Sequence, residues 1–213
     1  MNSLPKLGIL GALLVVTACA PMQPRLQEVQ VPPERISQKS YSLVPLNEKG
    51  WLIAGRNPYQ LALVKRGEST DETLAIQATL IKLPAFTTSE EFVSLVKEGQ
   101  AKDTDPQRFK MVKHEVTAYP DKGPICAKSH MVAEDHAAVK SSGKTGYMVL
   151  EALTLTCAHP KDNSIGLNVT YSHRYYPEQK DSGFLEKASN VLNSVEFSNL
   201  NDKVEAGSVT TVH

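Results

Sequence analysis

The stretch 147–175, YMVLEALTLTCAHPKDNSIGLNVTYSHRY, decides the fold of this chain. It contains two runs, 147–157 and 165–175, in which apolar and polar side chains alternate with the period of two that is typical of β-strands. Turn-forming residues, among them Pro160 and Asn163, separate the runs, so the stretch predicts an antiparallel hairpin. One face of the hairpin is mostly apolar and carries Leu153, Leu155, Leu167 and Val169. The other face is more solvated and carries Thr154, Thr156, Asn168, Thr170, Ser172 and Arg174.

Four more runs with strand character precede this hairpin, at 59–64, 74–81, 109–119 and 125–134. Two segments have the helical period instead. In the first, a capping box at 88–91 precedes Phe92, Leu95 and Val96, and we expect this helix to end near Gly99. The second has one apolar stripe, formed by Phe184, Leu185, Ala188, Val191, Leu192 and Val195. The pattern predicts a single α+β domain, in which an antiparallel β-sheet of hairpins, a meander, is covered by two main helices.

The order of these elements and the segment 188–197, ASNVLNSVEF, resemble PsbP-like domains, in which an antiparallel sheet lies between layers of helices. This resemblance extends loosely over the folded part of the chain. It implies a non-enzymatic module that binds a partner.

The N-terminus has an apolar run, 7–16, behind a single cation, Lys6, as in a secretory signal. The run leads into 13–19, LLVVTAC, whose last four residues resemble the lipobox of bacterial lipoproteins: an aliphatic residue, two small residues and a cysteine. The resemblance implies cleavage before Cys19, acylation of Cys19 and a permanent membrane anchor. Because Ala20 rather than Asp follows Cys19, it also implies the outer membrane, with the domain facing the periplasm. An ordinary secretory signal is the alternative interpretation.

These boundaries divide the chain into a signal peptide (1–18), the lipidated Cys19 with a disordered tether (19–40), a single α+β domain (41–199) and a flexible tail (200–213). The tether is predicted because four prolines and little apolar periodicity leave too little surface to bury. The tail is polar and aperiodic.

Cys126 and Cys157 are the only cysteines besides Cys19. An exported protein, which the lipobox resemblance implies, meets an oxidising compartment, where an even pair of cysteines forms a disulfide by default. Strand register agrees with this pairing, because runs 125–134 and 147–157 then align as a hairpin closed by a loop around 136–146. We therefore predict a disulfide between Cys126 and Cys157.

Continued to the next strand, with Cys157 beside Ile165 and Glu151 beside Tyr171, the same alternation gathers polar side chains on the mostly apolar face. Glu151 lies on the central strand of three, with His130 diagonal on one side and Tyr171 and His173 opposite or diagonal on the other. A carboxylate on an apolar face needs hydrogen-bond partners, or its pKa is raised. These four residues are therefore either a polar ligand cluster or a satisfied structural cluster. Spacing fixes no nucleophile and no set of metal ligands, so we predict no catalytic residue, metal or cofactor.

Composition and context exclude two classes of partner. The 23 Lys and Arg residues are scattered among 23 Asp and Glu residues, so the chain lacks the basic stripe that nucleic-acid binding needs. The segment 138–145, AVKSSGKT, matches a relaxed phosphate-loop pattern, but a strand rather than a helix is predicted after it. We therefore expect a flexible hairpin loop there and no nucleotide.

An anchor, a tether and a cross-linked sheet without a catalytic arrangement favour a non-catalytic binding or assembly module with an envelope protein as its partner. The alternative is a carrier of lipid or another apolar ligand, in which the apolar face lines a cavity beneath the helices. An envelope hydrolase is the third hypothesis, and whether the chain is an enzyme stays open.

Overall fold

The computed structural model describes residues 26–122 and 125–200. In chain order, the strands are β1 (Gln27–Glu28), β2 (Ile36–Gln38), β3 (Tyr41–Leu43), β4 (Leu52–Asn57), β5 (Gln60–Arg66), β6 (Thr73–Lys82), β7 (Phe109–Ala118), β8 (Cys126–Asp135), β9 (Met148–His159), β10 (Asp162–Tyr175) and β11 (Glu196–Phe197). The helices are α1 (Ser89–Asp103) and α2 (Phe184–Asn193), with short 3₁₀ turns at Pro120–Lys122 and Pro177–Gln179. The lipobox with Cys19, and residues 201–213 of the predicted tail, lie outside the described residues.

Eight of these strands form one antiparallel sheet, in the order β1-β4-β5-β6-β10-β9-β8-β7. Strands β11, β3 and β2 form a second, smaller sheet. The hairpin β9–β10, which corresponds to the stretch 147–175, lies inside the large sheet. Each of its strands therefore has a partner on both sides. The predicted α+β fold with an antiparallel sheet is therefore confirmed. None of the helices in the described ranges is long and apolar enough to cross a membrane.

The two helices pack on opposite faces of the large sheet. Helix α2 lies on the apolar face, where Phe184 and Val191 share one core with Leu155 of β9. Strand β3 of the small sheet extends this core with Tyr41 and Leu43, both fully buried. Burial of each such side chain contributes about 1.5–3 kcal/mol, so this face supplies most of the hydrophobic stabilisation.

Helix α1 covers part of the other face. Its Phe92 and Val96 pack on Ala127 of β8 and Ala158 of β9, which alternate with the cysteines along those strands and so point the opposite way. Most contacts of α1 with the sheet are to β7 and β8, at one side of it. The middle of this face, formed by β6, β9 and β10, therefore lies beside the helix rather than under it.

The predicted N-terminus of α1 is present, but its predicted C-terminus is wrong. The Thr88 side chain caps the helix by accepting a hydrogen bond from the Glu91 N–H, at 3.1 Å. The Glu91 carboxylate accepts in return from the N–H of Thr87, one residue earlier than a capping box requires, at 2.7 Å. The helix then continues through Gly99 to Asp103, because a solvent-facing glycine weakens a helix without ending it.

The prediction that 19–40 is a disordered tether is wrong from Leu26 onward. Strand β1 pairs with β4, and β2 pairs with β3. Val29 is buried in the main core despite the prolines around it, and Gln38 and Ser40 are buried as well. Tertiary pairing thus overrides a local composition that, taken alone, predicts disorder.

The predicted disulfide joins Cys126 and Cys157, and the predicted register of β8 on β9 is confirmed over its whole length. The register of β9 on β10 differs by two residues from the expected one. Leu167, not Ile165, lies opposite Cys157, and His173, not Tyr171, lies opposite Glu151. An irregularity between Asp162 and Gly166, where β10 advances four residues while β9 advances one, sets this register. Because the shift is even, every side chain keeps its predicted face.

Candidate functional site

The predicted polar cluster is centred on Glu151, a carboxylate that is only 4 % exposed. Its Oε1 atom lies 2.8 Å from Nε2 of His130, as the predicted register requires. Its Oε2 atom accepts a hydrogen bond from the Tyr175 hydroxyl at 3.0 Å. Burial, the nearby charge of Glu151 and this hydrogen bond together raise the pKa of Tyr175. Both oxygens of Glu151 are therefore engaged.

His173 lies beside this cluster but binds a different carboxylate. Its Nε2 atom is 2.7 Å from Oε1 of Glu72, which lies in the loop between β5 and β6. The other oxygen of Glu72 accepts from the backbone N–H groups of Glu68 and Ser69. Burial acts to raise the pKa of Glu72, but the hydrogen bonds from His173 and the two N–H groups outweigh it and lower that pKa. The His173 ring also stacks on Tyr175, 4.5 Å away, which links the two carboxylate–histidine pairs.

Tyr171, the fourth predicted residue, is part of the hydrophobic core rather than of the polar cluster. Its ring is fully buried and packs 5.4 Å from Phe184 and 6.3 Å from Trp51. Burial raises the pKa of its hydroxyl, with smaller contributions from the charges of Glu48 and Asp181. The register shift explains this outcome, because it moves Tyr171 opposite Leu153.

Sequence reasoning missed Tyr175 and Glu72, the two residues that complete these pairs. Tyr175 could have been predicted from the sequence, because it follows His173 by two positions and therefore lies on the same face of β10. Glu72 had none, because it lies 101 residues from His173 in the chain. With both present, each buried carboxylate is bound by histidine and by tyrosine or backbone donors, the arrangement that buried charges need for stability.

A groove of about 450 Å³ lies on the other face of the sheet, beside α1. Its floor comes from the more solvated face predicted for the β9–β10 hairpin, together with β6, and its wall comes from α1 and β8. Nine of its fifteen lining residues are uncharged and polar: Thr73, Gln77, Gln100, Thr104, Ser129, Thr154, Asn168, Thr170 and Ser172. The groove falls within the size range of small-ligand sites.

Hydrogen bonds between side chains form a directed relay across this floor. Thr170 donates its hydroxyl proton to the amide oxygen of Asn168 at 3.2 Å. Because a hydroxyl has only one proton, the 2.9 Å bond between Thr154 and Thr170 must be donated by Thr154. The Asn168 amide in turn donates to Thr156 at 3.1 Å. The relay therefore holds four side chains from β9 and β10 in fixed orientations.

Charge at the groove is confined to two positions of opposite sign. Arg174 lies at the β10 end, with its Nε atom 3.1 Å from a carboxylate oxygen of Asp135. Asp135 is fully buried and is also bound by two nitrogens of Arg108, at 2.8 and 2.9 Å. Burial acts to raise the pKa of Asp135, but the two arginines outweigh it, so that pKa is lowered. Asp103 supplies the opposite charge from the end of α1.

The segment 138–145, which matches the relaxed phosphate-loop pattern, is a loop followed by strand β9. The structure anchors this loop, although the sequence predicted a flexible one. The carboxylate of Asp71 accepts from the backbone N–H of Ser141 at 2.6 Å and from the hydroxyls of Ser141, Ser142 and Tyr176. The hydrogen bonds from Ser142 and Tyr176 hold the pKa of Asp71 well below its usual range.

Within 26–122 and 125–200, no three His, Cys, Asp or Glu side chains are grouped so as to hold a metal ion. No model of a protein family matches the sequence, and a search of curated proteins found no significant match. Any functional inference therefore depends on the geometry of the chain itself.

Proposed function

We propose that this chain is a non-catalytic binding module of the bacterial cell envelope, and that the groove beside α1 is its binding surface. The observation that carries the proposal is the groove itself. It is open, it is lined mainly by polar side chains, and a hydrogen-bonded relay fixes the orientation of its floor. Preorganised polar groups of this kind lower the entropic cost of binding.

The lipobox resemblance supports the proposed location. Acylation of Cys19 would hold the domain at the outer membrane, on its periplasmic side. In that position the module would meet other envelope components, and an envelope protein is the partner class proposed from the sequence.

The packing of the apolar face favours this function over a lipid carrier. A carrier would need the face bearing Leu153, Leu155, Leu167 and Val169 to line a cavity. These four side chains are 0–4 % exposed, and they pack with Phe184 and the rest of α2 in one core. A core filled in this way is not the apolar cavity that a lipid carrier needs.

The third hypothesis, an envelope hydrolase, gains no support from the Glu151 and Glu72 pairs. Their hydrogen-bond partners are histidine, tyrosine and backbone groups, which hold both carboxylates in place. Both carboxylates are also buried. Their geometry is that of a stabilising network.

Photo-crosslinking in living cells tests the proposal. A photoreactive residue at Gln77, which is exposed and lines the groove, is expected to give a reproducible adduct. The matched control is the same residue at Thr117, which is exposed on the edge strand β7 and lies outside the groove. Equal labelling from both positions, or none from Gln77, would show that the groove is not the binding surface.

A further inference from the structure

We infer that the groove takes a neutral polyhydroxylated ligand, that is, a carbohydrate chain. This inference rests on the proposed function, and it assigns the same groove to a carbohydrate chain in place of the envelope protein expected from the sequence. It follows from which hydrogen-bond donors and acceptors of the floor are already engaged with other side chains and which remain for a ligand.

Two threonines of the floor, Thr154 and Thr170, have used their hydroxyl protons on other side chains. Thr154 donates to Thr170, and Thr170 donates to Asn168. On the wall, the Gln100 amide donates to Ser129 at 2.9 Å, and its oxygen lies 2.9 Å from Nε2 of His114. A hydroxyl has one proton and two lone pairs, so Thr154 and Thr170 have only lone pairs left for a ligand.

A ligand that binds these two threonines must therefore bring hydrogen-bond donors. Carboxylate and phosphate groups only accept hydrogen bonds, so an anion would find no partner in either threonine. The charges agree with this conclusion, because Arg174 lies beside the buried Asp135 and Asp103 lies across the groove. No net charge is left to attract an ion.

A sugar fits both sides of this requirement. Each sugar hydroxyl donates and accepts at once. It can therefore donate to the oxygens of Thr154 and Thr170 and accept from neighbouring groups such as the second amide proton of Asn168. The groove also has small apolar patches, at Ala75 and Ala152, where the C–H faces of a sugar ring can pack. A peptide backbone carries its donor and its acceptor on separate groups, so none of its atoms can donate to a threonine and accept from Asn168 at once.

The test is ligand-observed saturation-transfer NMR on the purified full chain. The probes are neutral tetrasaccharides of glucose and of N-acetylglucosamine, an anionic galacturonate oligomer, and tetra-alanine. We expect transfer to at least one neutral sugar and none to the anion or the peptide. The affinity should stay constant when NaCl is raised from about 50 to about 500 mM, because no ion pair forms.

The variant Thr154→Val with Thr170→Val removes the hydroxyls of these two residues and keeps the shapes of their side chains. It should weaken sugar binding about tenfold. Thr117→Val, a threonine on β7 outside the groove, is the control and should bind as the unchanged protein does. Ser172→Ala, a smaller change in the same groove, repeats the measurement if the double variant does not fold.

The carbohydrate inference is overturned if no neutral sugar binds, if binding survives the loss of the hydroxyls, or if only the anion or the peptide binds. The crosslinking from Gln77 separates this result from the broader proposal. A groove-specific protein adduct without sugar binding would leave the binding module in place and remove its carbohydrate ligand. Absence of both would remove the two together.

Discussion

Reduction of the disulfide is expected to remove a calculable part of the stability of the domain. Cys126 and Cys157 are 31 residues apart, and both are buried on neighbouring strands of the large sheet. In the chain-entropy model, a cross-link over a loop of this length lowers the free energy of the folded state relative to the unfolded state by about 3.7 kcal/mol. With a urea dependence of about 2 kcal/mol per molar, the unfolding midpoint should fall by about 2 M.

The assay compares three samples by equilibrium urea unfolding, followed by far-ultraviolet circular dichroism. They are the oxidised protein, the same protein in reductant, and the variant Cys126→Ala with Cys157→Ala. The reduced protein keeps the volume of both sulfurs, so it isolates the cross-link. The alanine variant also loses the packing of two side chains in the main core and should be less stable than the reduced protein.

A loss below about 1 kcal/mol on reduction would refute this reasoning, because it would mean that the unfolded chain gains little freedom when the bond is broken. The slope of the transition gives a second check. It should rise on reduction, since an unfolded chain without the cross-link exposes more surface. An unchanged slope together with a large loss would place the effect in the folded state instead.

Three further predictions follow from single residues. The pKa of Glu72 is lowered on folding, so the stability that its carboxylate contributes is complete above the unfolded pKa of 4.5 and is lost as pH falls through the folded pKa. In thermal unfolding, the melting temperature of Glu72→Gln should therefore fall less at acid pH than that of the unchanged protein. Phe184→Ala should cost about 3–5 kcal/mol in urea unfolding, whereas Leu185→Ala, at a neighbouring position that is 49 % exposed, should cost less than about 1 kcal/mol, and equal costs would contradict the packing of α2. Cys19→Ser should abolish labelling by radioactive fatty acid and release the protein from membranes, whereas unchanged attachment would remove the proposed anchor.

The parts of the fold that sequence predicted well are those with long, regular patterns. Strands β7 to β10 and helix α2 each have ten or more residues with a clear period, and their bounds lie close to those expected. The register of β8 on β9 could be predicted because a disulfide between Cys126 and Cys157 fixes it. No such pair links β9 and β10, and next to an irregularity near Gly166 their observed register differs from the expected one by two residues.

The parts that sequence missed depend on contacts between distant segments. Strands β1, β2 and β3 have two or three residues each, which is too short for a period, and they exist because β4 and β11 pair with them. Of the predicted cluster, the contact of His130 with Glu151 could be read from strand register. The pairing of His173 with Glu72 could not, because a residue in a loop has no register. The groove could be foreseen only as a polar face, since its wall depends on where α1 packs.

The position of β1 determines how the domain would respond to a pulling force. β1 is the outermost strand of the large sheet, has only two residues and pairs with β4 alone. A load applied from the N-terminal side would act first on this strand and on the backbone bond between Val29 and Trp51, and only afterwards on β2. Detachment of residues 26–38 would extend the reach of the domain by about 40 Å. The seven residues between β1 and β2 would then unravel before the rest of the domain, and β5 to β10, with the groove and the disulfide, would stay folded.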